Sequence, residues 1–278
     1  MTDLSLVLGC GYVGEALATQ LRAAGKTVLA TSRSATRLDA LTNRIGIRGL
    51  VFDPVADTPA RLLECVESAT TINLWCLLTP QALASEASRA RLFAALASLP
   101  LTAAVLSSST GIYGPVTDAV VNENTPPVLA SPREQRLAVI EAEWLRLPEA
   151  RVLRLAGLYG PGRLIGAASL REGVELPGAA DAWLNLIHRD DAAALLAAMA
   201  AHPSARTIEL GSDGSPLRRR DYYTYLASLI DAPPPRFQQD RGGDPGKRID
   251  ASSTVRRLGF QPRFADFREG LRAAWAAE

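Results

Sequence analysis

The chain has 278 residues, 47% of them hydrophobic, with 30 Lys+Arg against 29 Asp+Glu. That size and apolar share suit one large domain, or one domain with a smaller appendage, around a sizeable core. The balanced charge leaves no basic footprint for nucleic acid or an anionic membrane, and no apolar run reaches spanning length. The start shows neither a basic n-region nor a cleavage site. Three cysteines, Cys10, Cys65 and Cys76, fit no disulfide framework or metal-ligand spacing. Each reads as a small buried hydrophobe in a reducing cytoplasm, and no metal site is expected.

The first predicted strand, Leu4–Leu8, runs into Gly9-x-Gly11-x-x-Gly14 and then into a helix whose apolar positions Val13, Ala16, Leu17, Leu21 and Ala24 share one face. Glycines at a strand-to-helix turn have a mechanical use. Gly9 permits the tight turn, Gly11 lets the backbone approach a pyrophosphate, and Gly14 lets helix and strand pack closely. The amides opening the helix, at Tyr12, Val13 and Gly14, would hold the phosphates. Further strands are predicted at Thr27–Thr31, Ile47–Phe52, Thr70–Leu74, Ala103–Ser107 and Arg151–Leu155. Helical patterns lie near 12–24, 35–42, 58–67, 81–98 and 132–146. Continuous apolar strands alternating with helices predict an α/β fold, a doubly wound parallel sheet of Rossmann type covered on both faces. Beyond Gly160 a short strand at Trp183–His188, a helix at Asp190–Ala201 and a strand at Thr207–Leu210 follow, then helices near 218–230 and 264–277. Phe264, Phe267, Leu271, Ala274 and Trp275 form an apolar stripe that reads as core. Ala232–Lys247, rich in Pro, Gly and charge, reads as a mobile loop. Residues 1–160 are expected to form the dinucleotide-binding domain, with 185–210 returning to it. Residues 161–184 and 211–278 would form a small substrate-facing lobe.

The end of the second strand indicates which nicotinamide the site takes. An NAD site usually has a carboxylate about 20 residues past the glycines, bonded to the ribose 2′-hydroxyl. Here that strand ends Thr31-Ser32-Arg33-Ser34. Arg33 can stack on the adenine and clamp a 2′-phosphate, Ser32 can donate a hydroxyl, and Arg37 follows one helical turn on. NADP is therefore expected, with NAD the alternative. Asp53, after the third strand, has two readings: an acceptor for the adenine amino group, or a cap for the turn at Pro54.

Further motifs are Ser107-Ser108-Ser109-Thr110-Gly111-Ile112-Tyr113-Gly114, Glu123-x-Thr125-Pro126, Leu153-Arg154-x-x-Gly157-x-Tyr159-Gly160-Pro161-Gly162 and Asn185-Leu186-Ile187-His188-x-Asp190-Asp191. A tail reads Arg248-Ile249-Asp250 and later Leu258-Gly259-Phe260-x-Pro262. Together with the glycine loop these resemble, in order along nearly the whole chain, the extended short-chain dehydrogenase/reductases, the epimerase/dehydratase group. The resemblance implies a Rossmann fold, a bound nicotinamide cofactor and an active site beside Ser109. It departs at the catalytic pair. Members carry Tyr-x-x-x-Lys on a helix about 20 residues past the serine motif, where this chain has Arg133 and Leu137. Arginine does not give up its proton at neutral pH, and leucine neither bonds a ribose nor tunes a neighbour.

The remaining candidates each carry two readings. Ser109 matches the family's substrate-oxygen serine, or is a turn hydroxyl. Tyr113 stands in a motif that shapes active-site walls, as does Tyr159, and either can be structural. His188 reads as packed and bonded to backbone rather than as a proton shuttle. Arg133 can bind a carboxylate or phosphate or stabilise an oxyanion, or is a surface charge at a helix start. Arg218-Arg219-Arg220 reads as a solvated face, and Arg241, Lys247 and Arg248 border the mobile loop within reach of an anionic substrate. The first function expected is an NADP-dependent oxidoreductase acting on a small anionic or sugar-like molecule, with Ser109, Arg133 and Tyr113 as catalytic candidates. A non-catalytic NADPH sensor or scaffold is the rival, and a nucleotide-sugar epimerase or dehydratase the third. Oligomeric state stays open.

Overall fold

A computed structural model describes residues 3–239 and 245–278. Five strands, β1 (Asp3–Leu8), β2 (Thr27–Ser32), β3 (Arg48–Val51), β4 (Thr71–Cys76) and β5 (Leu101–Ser109), alternate with α1 (Tyr12–Ala23), α2 (Ala35–Ile45), α3 (Ala60–Val66) and α4 (Glu86–Ala97). α5 (Pro132–Trp144) follows, then strands Ala150–Leu155 and Ile208–Gly211. These seven strands form one parallel sheet in the order Ile208–Gly211, Ala150–Leu155, β5, β4, β1, β2, β3. The chain builds outward from β1 in one direction, then crosses back to β4 and builds in the other. The strand order therefore reverses between β1 and β4, and ligands of open α/β sheets lie at the carboxyl ends of the strands flanking such a reversal.

Both faces of the sheet are covered, which is why the strands read as continuous apolar runs. Side chains alternate across a strand. Val7, Val28 and Ala30 join α1 and the helix Arg189–Ala201 on one face, whereas Leu6, Leu8 and Leu29 join Phe93 of α4 and Trp144 of α5 on the other. A third cluster holds the C-terminal part together, among it Tyr159, Leu164, Leu176, Tyr222, Leu226, Phe267 and Leu271. The outermost strand carries a buried carboxylate, Glu209, which accepts from Arg257 Nη1 at 2.7 Å and from Thr254 Oγ1 at 2.7 Å.

The predicted elements differ from the observed ones in several places, and Phe237–Gln239, inside the stretch read as a mobile loop, is a strand paired with Leu176–Ala179. α4 begins at Glu86, not near 81, because Ser85 caps it by accepting from the Ser88 amide at 3.3 Å. Trp183–His188 is two strands: Trp183–Leu184 pairs with Leu217–Arg218, and Leu186–His188 pairs with Gly157–Tyr159. Helix Ser252–Leu258 lies where no helix was predicted. The last helix starts at Phe267, so Phe264 precedes it and lies against His188 with ring centroids 4.2 Å apart. Cys10 and Cys76 are buried, which pushes each thiol up to about 12, while Cys65 is only half-buried, unlike the other two. Among the described residues no group of acidic, histidine or cysteine side chains is placed to hold a metal, and no helix is long and apolar enough to cross a membrane.

Candidate dinucleotide and substrate site

The glycine loop lies at the carboxyl end of β1, beside the strand-order reversal. Gly9 has φ +84°, and a Cβ there would meet the Leu78 backbone nitrogen at 3.0 Å, so the turn requires glycine twice over. A Cβ on Gly14 would meet Gly9 O at 2.9 Å and Leu77 Cδ1 at 3.2 Å, the close helix–strand packing expected of the third glycine. Gly11 is different. Its φ is −96°, and a Cβ there meets nothing nearer than Arg37 Nη1 at 3.9 Å. Among the described residues no atom demands glycine at that point. No side chain caps α1, although Ser34, Ser85 and Ser131 cap α2, α4 and α5. The first-turn amides of α1 are thus left for an anion, and the residues present fit a dinucleotide pyrophosphate.

That loop opens onto a cleft of about 290 Å³ lined by Gly9, Gly11, Ser32, Arg33, Arg37 and Pro54, among others. No carboxylate is among its described lining residues. Arg33 and Arg37 are both exposed, and Ser32 Oγ accepts from the Ser34 amide at 3.1 Å, which shapes the turn into α2. Asp53 takes the capping arrangement: its Oδ1 accepts from the Val55 amide at 2.9 Å, and Phe52 and Pro54, not Asp53, line the cleft. The adenine reading of Asp53 is not what this geometry favours. Two other cofactor candidates offer backbone only. The Val13 side chain is buried in the core. The Tyr12 hydroxyl is buried without a partner, desolvation pushes it up to about 12, and its ring sits beneath the guanidiniums of Arg163 and Arg189 at 5.6 and 5.3 Å.

A second cleft, about 460 Å³, lies past the carboxyl ends of β5 and Ala150–Leu155, and Ser109, Gly111, Arg133, Arg163, Asn185 and Lys247 contribute to its walls. The structure brings Ser109 and Arg133 together there. A Cβ on Gly111 would stand 3.2 Å from Ser109 Oγ and 3.4 Å from Arg133 Nη2. Ser109 Oγ accepts from the Gly111 amide at 3.0 Å, so it is a turn hydroxyl whose own proton can still be donated into the cleft. Arg133 sits in the first turn of α5, held by a capping box in which Ser131 and Glu134 bond each other's backbone. Leu137, one turn later, points away into a buried cluster with Ile112, Tyr113 and Val121. The chain's lysines are Lys26 and Lys247, and neither stands four residues after a tyrosine.

Tyr113 does not reach this cleft. It is fully buried, donates to Asn122 O at 3.0 Å and accepts from Arg154 Nη1 at 2.9 Å. Desolvation raises its pKa, although Arg154 opposes the shift. Arg154 in turn forms a buried ion pair with Glu141, 2.7 Å, which also accepts from Ser108 Oγ. Tyr113 is therefore a strut behind the site, and the catalytic candidacy is corrected to a structural one. His188 is buried, and its Nδ1 accepts from the Asp190 amide at 3.2 Å, which keeps the ring neutral; desolvation lowers its pKa. Tyr159 is likewise fully buried in the C-terminal cluster. The three consecutive arginines are not a free solvated face: Arg218 lies 3.6 Å over Trp183, Arg219 donates to Pro177 O and Arg220 pairs with Asp181. Lys247, which bordered the predicted mobile loop, is anchored in the wall; Arg241 lies outside the described residues. Arg248 is held too, pairing with Asp118 at 3.8 Å.

The model of the NAD dependent epimerase/dehydratase family matches residues 5–211, and the chain belongs to that family. Protein YeeZ of Escherichia coli K12 is 33% identical over 167 residues, a match covering 58% of this chain and 58% of that protein. The chain thus spans under two thirds of that curated relative's length. Among solved structures, UDP-glucuronic acid 4-epimerase from Bacillus cereus, in complex with NAD, is similar with TM-score 0.81 and 15% identity, covering 99% of this chain and 98% of that one. UDP-glucose 4-epimerase from Thermotoga maritima, with UDP-glucose, gives TM-score 0.79 at 18% identity, over 99% and 98% of the two chains. At such identity these likenesses show the fold.

Proposed function

We propose that the protein is an NADP-dependent oxidoreductase acting on a small anionic or sugar-like substrate in the cleft walled by Ser109 and Arg133. The observation that carries this reading is the pairing of two clefts. One joins an open glycine loop to Arg33 and Arg37 without a carboxylate; the other places a hydroxyl and a guanidinium around Gly111. Nicotinamide, when bound, exchanges hydride with a substrate carbon. Arg33 and Arg37 supply the charge to hold a 2′-phosphate, and the α1 amides supply donors for the pyrophosphate. Ser109 can donate a hydrogen bond that orients the substrate oxygen, and the proton which that oxygen takes up on reduction comes from solvent. Arg133, which stays charged, attracts an anionic group or stabilises developing negative charge on oxygen.

Turnover separates this reading from a sensor. With NADPH and a panel of carbonyl compounds, the wild type should consume NADPH, and Arg133→Ala should abolish that while leaving NADPH affinity nearly unchanged. Robust turnover surviving Arg133→Ala would overturn the role given to Arg133. No hydride transfer in either direction, with an NADPH-dependent change of shape, would leave the sensor reading instead. One observation favours a second reading, chemistry on a nucleotide sugar. A cavity of about 630 Å³ adjoins the substrate cleft through Gly157, Leu158 and Arg163. Inhibition by uridine diphosphate at the substrate site would support it.

A further inference from the structure

Arginines from two separate parts of the chain reach the glycine loop. Arg37, in the first turn of α2, lines the cleft of about 290 Å³ together with Ser32 and Arg33. Arg163, in the turn after Tyr159, lines the cleft of about 460 Å³ together with Ser109 and Arg133. Arg37 Nη1 stands 3.9 Å from the Cβ position of Gly11, and its charge acts on the thiol of Cys10, between Gly9 and Gly11. Arg163 Cζ stands 5.6 Å from the ring centroid of Tyr12, the residue that follows Gly11 and opens α1. No carboxylate is among the described lining residues of either cleft.

The fold builds both placements. Ser34 caps α2 by accepting from the Arg37 amide at 3.2 Å, which fixes the backbone from which Arg37 extends. The turn carrying Arg163 is closed in both directions: the Gly160 amide donates to Arg163 O at 3.2 Å, and the Arg163 amide donates to Gly160 O at 2.9 Å. Gly160 has φ +145°, and a Cβ there would meet the Tyr12 hydroxyl at 2.9 Å and His188 Nε2 at 3.1 Å. The turn is therefore seated on Tyr12, and only glycine lets it come so close. Arg189 also lies over the Tyr12 ring, but its Nε donates to Asp190 Oδ1 at 3.0 Å, which commits its charge elsewhere.

We propose that Arg37 and Arg163 clamp the cofactor's pyrophosphate from two sides, Arg37 on the adenosine-side phosphate and Arg163 on the nicotinamide-side phosphate. The inference rests on the reading of the glycine loop as the dinucleotide site. The two sides follow from the clefts. Arg37 shares its cleft with Arg33, at the 2′-phosphate end, and Arg163 shares its cleft with Ser109, where nicotinamide and substrate meet. Each phosphate of the pyrophosphate is charged, and the partial charge of about +0.5 at a helix N-terminus leaves most of that unbalanced; two guanidiniums complete the match. Arg33 then sets the choice between NADPH and NADH, whereas the clamp serves both. Arg163 comes from the C-terminal part of the chain, so the clamp makes the cofactor a bridge between the glycine loop and the wall of the substrate cleft.

The test is calorimetric titration of wild type, Arg37→Met and Arg163→Met with NADPH, NADH and adenosine 2′,5′-bisphosphate. The bisphosphate keeps the 2′-phosphate and the adenosine-side phosphate and lacks the other. Arg163→Met should weaken NADPH and NADH at least about tenfold, the loss of a charge-assisted hydrogen bond, and leave the bisphosphate at its wild-type affinity. Arg37→Met should weaken all three ligands by a similar factor. Both residues are exposed, so unliganded melting temperatures should stay at wild-type values, and a drop in Arg37→Met would assign its effect to the fold instead. Unchanged NADPH affinity in either variant, an Arg163→Met loss that extends to the bisphosphate, or an Arg37→Met loss that spares NADH would each overturn the clamp. So would a wild type that binds NADPH but fails to bind NADH or the bisphosphate. In those cases NADPH binding that Gly11→Val abolishes would leave the dinucleotide reading standing. A wild type that binds none of the three would remove both.

Discussion

Replacing Gly11 with valine should destroy dinucleotide binding without harming the fold. The structure allows the two effects to be separated. Gly11 is outside the left-handed region that favours glycine, and a Cβ there meets no atom within 3.9 Å, so unfolding free energy should change by no more than about 1 kcal/mol. The same side chain fills the approach of the pyrophosphate to the α1 amides. For the wild type, NADPH at 100-fold over its dissociation constant should add about 2.7 kcal/mol of stability. At roughly 2–4 °C per kcal/mol for a chain of this size, that is a thermal shift of about 5–11 °C. In Gly11→Val the shift should vanish while the unliganded melting temperature barely moves. Gly14→Ala is the contrasting control. Its methyl meets Gly9 O at 2.9 Å, a backbone atom that cannot swing aside, so it should cost about 1–3 kcal/mol even without ligand. Differential scanning fluorimetry with and without NADPH reads both variants. A wild-type NADPH shift in Gly11→Val would refute the assignment of this loop to the pyrophosphate.

Tyr113→Phe should cost about 1–3 kcal/mol in urea unfolding, because a buried Arg154 donor and the Asn122 carbonyl lose their shared partner, yet leave NADPH affinity unchanged. Changed turnover without lost stability would return Tyr113 to the site. Leu137→Lys should be strongly destabilising, since it buries an ammonium among Ile112, Tyr113 and Val121, and a melting temperature equal to wild type would contradict that packing. Asp213, buried with Oδ2 unpartnered, is pushed up to about 7 by desolvation. Its folded pKa lies above its unfolded value, so its contribution is full below about pH 4 and is lost as pH rises to about 7. Asp213→Asn should therefore flatten that part of the stability–pH curve; an unchanged slope would contradict the burial argument. His188, with its pKa lowered by desolvation, acts with the opposite sign.

Most of the sheet was legible because a strand covered on both faces has to be apolar at every position, as Leu6, Val7 and Leu8 show by serving two cores at once. The glycine loop was legible from its strand–turn–helix setting, in which a Cβ on Gly14 would meet Gly9 O, although Gly9 is also required by the distant Leu78 backbone. What escaped depends on distant partners. Trp183–His188 has the composition of one strand, and only the two bonds Asn185 makes to 247–249 explain its break. Helix Ser252–Leu258 is too short and polar to show a period; Thr254 and Arg257 hold it through the buried Glu209. Tyr113 and Ser109 lie in one motif, yet opposite side-chain directions along that turn send one to the core and the other to the cleft. Lys247 carried a signal in its rarity, as one of two lysines, but its place in the wall needed the fold.

The measurement that bears most directly on the account is the affinity of the wild-type protein for NADPH and for NADH, each by calorimetry, repeated with Arg33→Ala. The account predicts NADPH the tighter ligand by at least about tenfold, roughly 1.4 kcal/mol, from charge-assisted bonds to the 2′-phosphate. That preference should collapse in Arg33→Ala while NADH affinity stays near its wild-type value. Equal affinities in the wild type, or tighter binding of NADH, would contradict it.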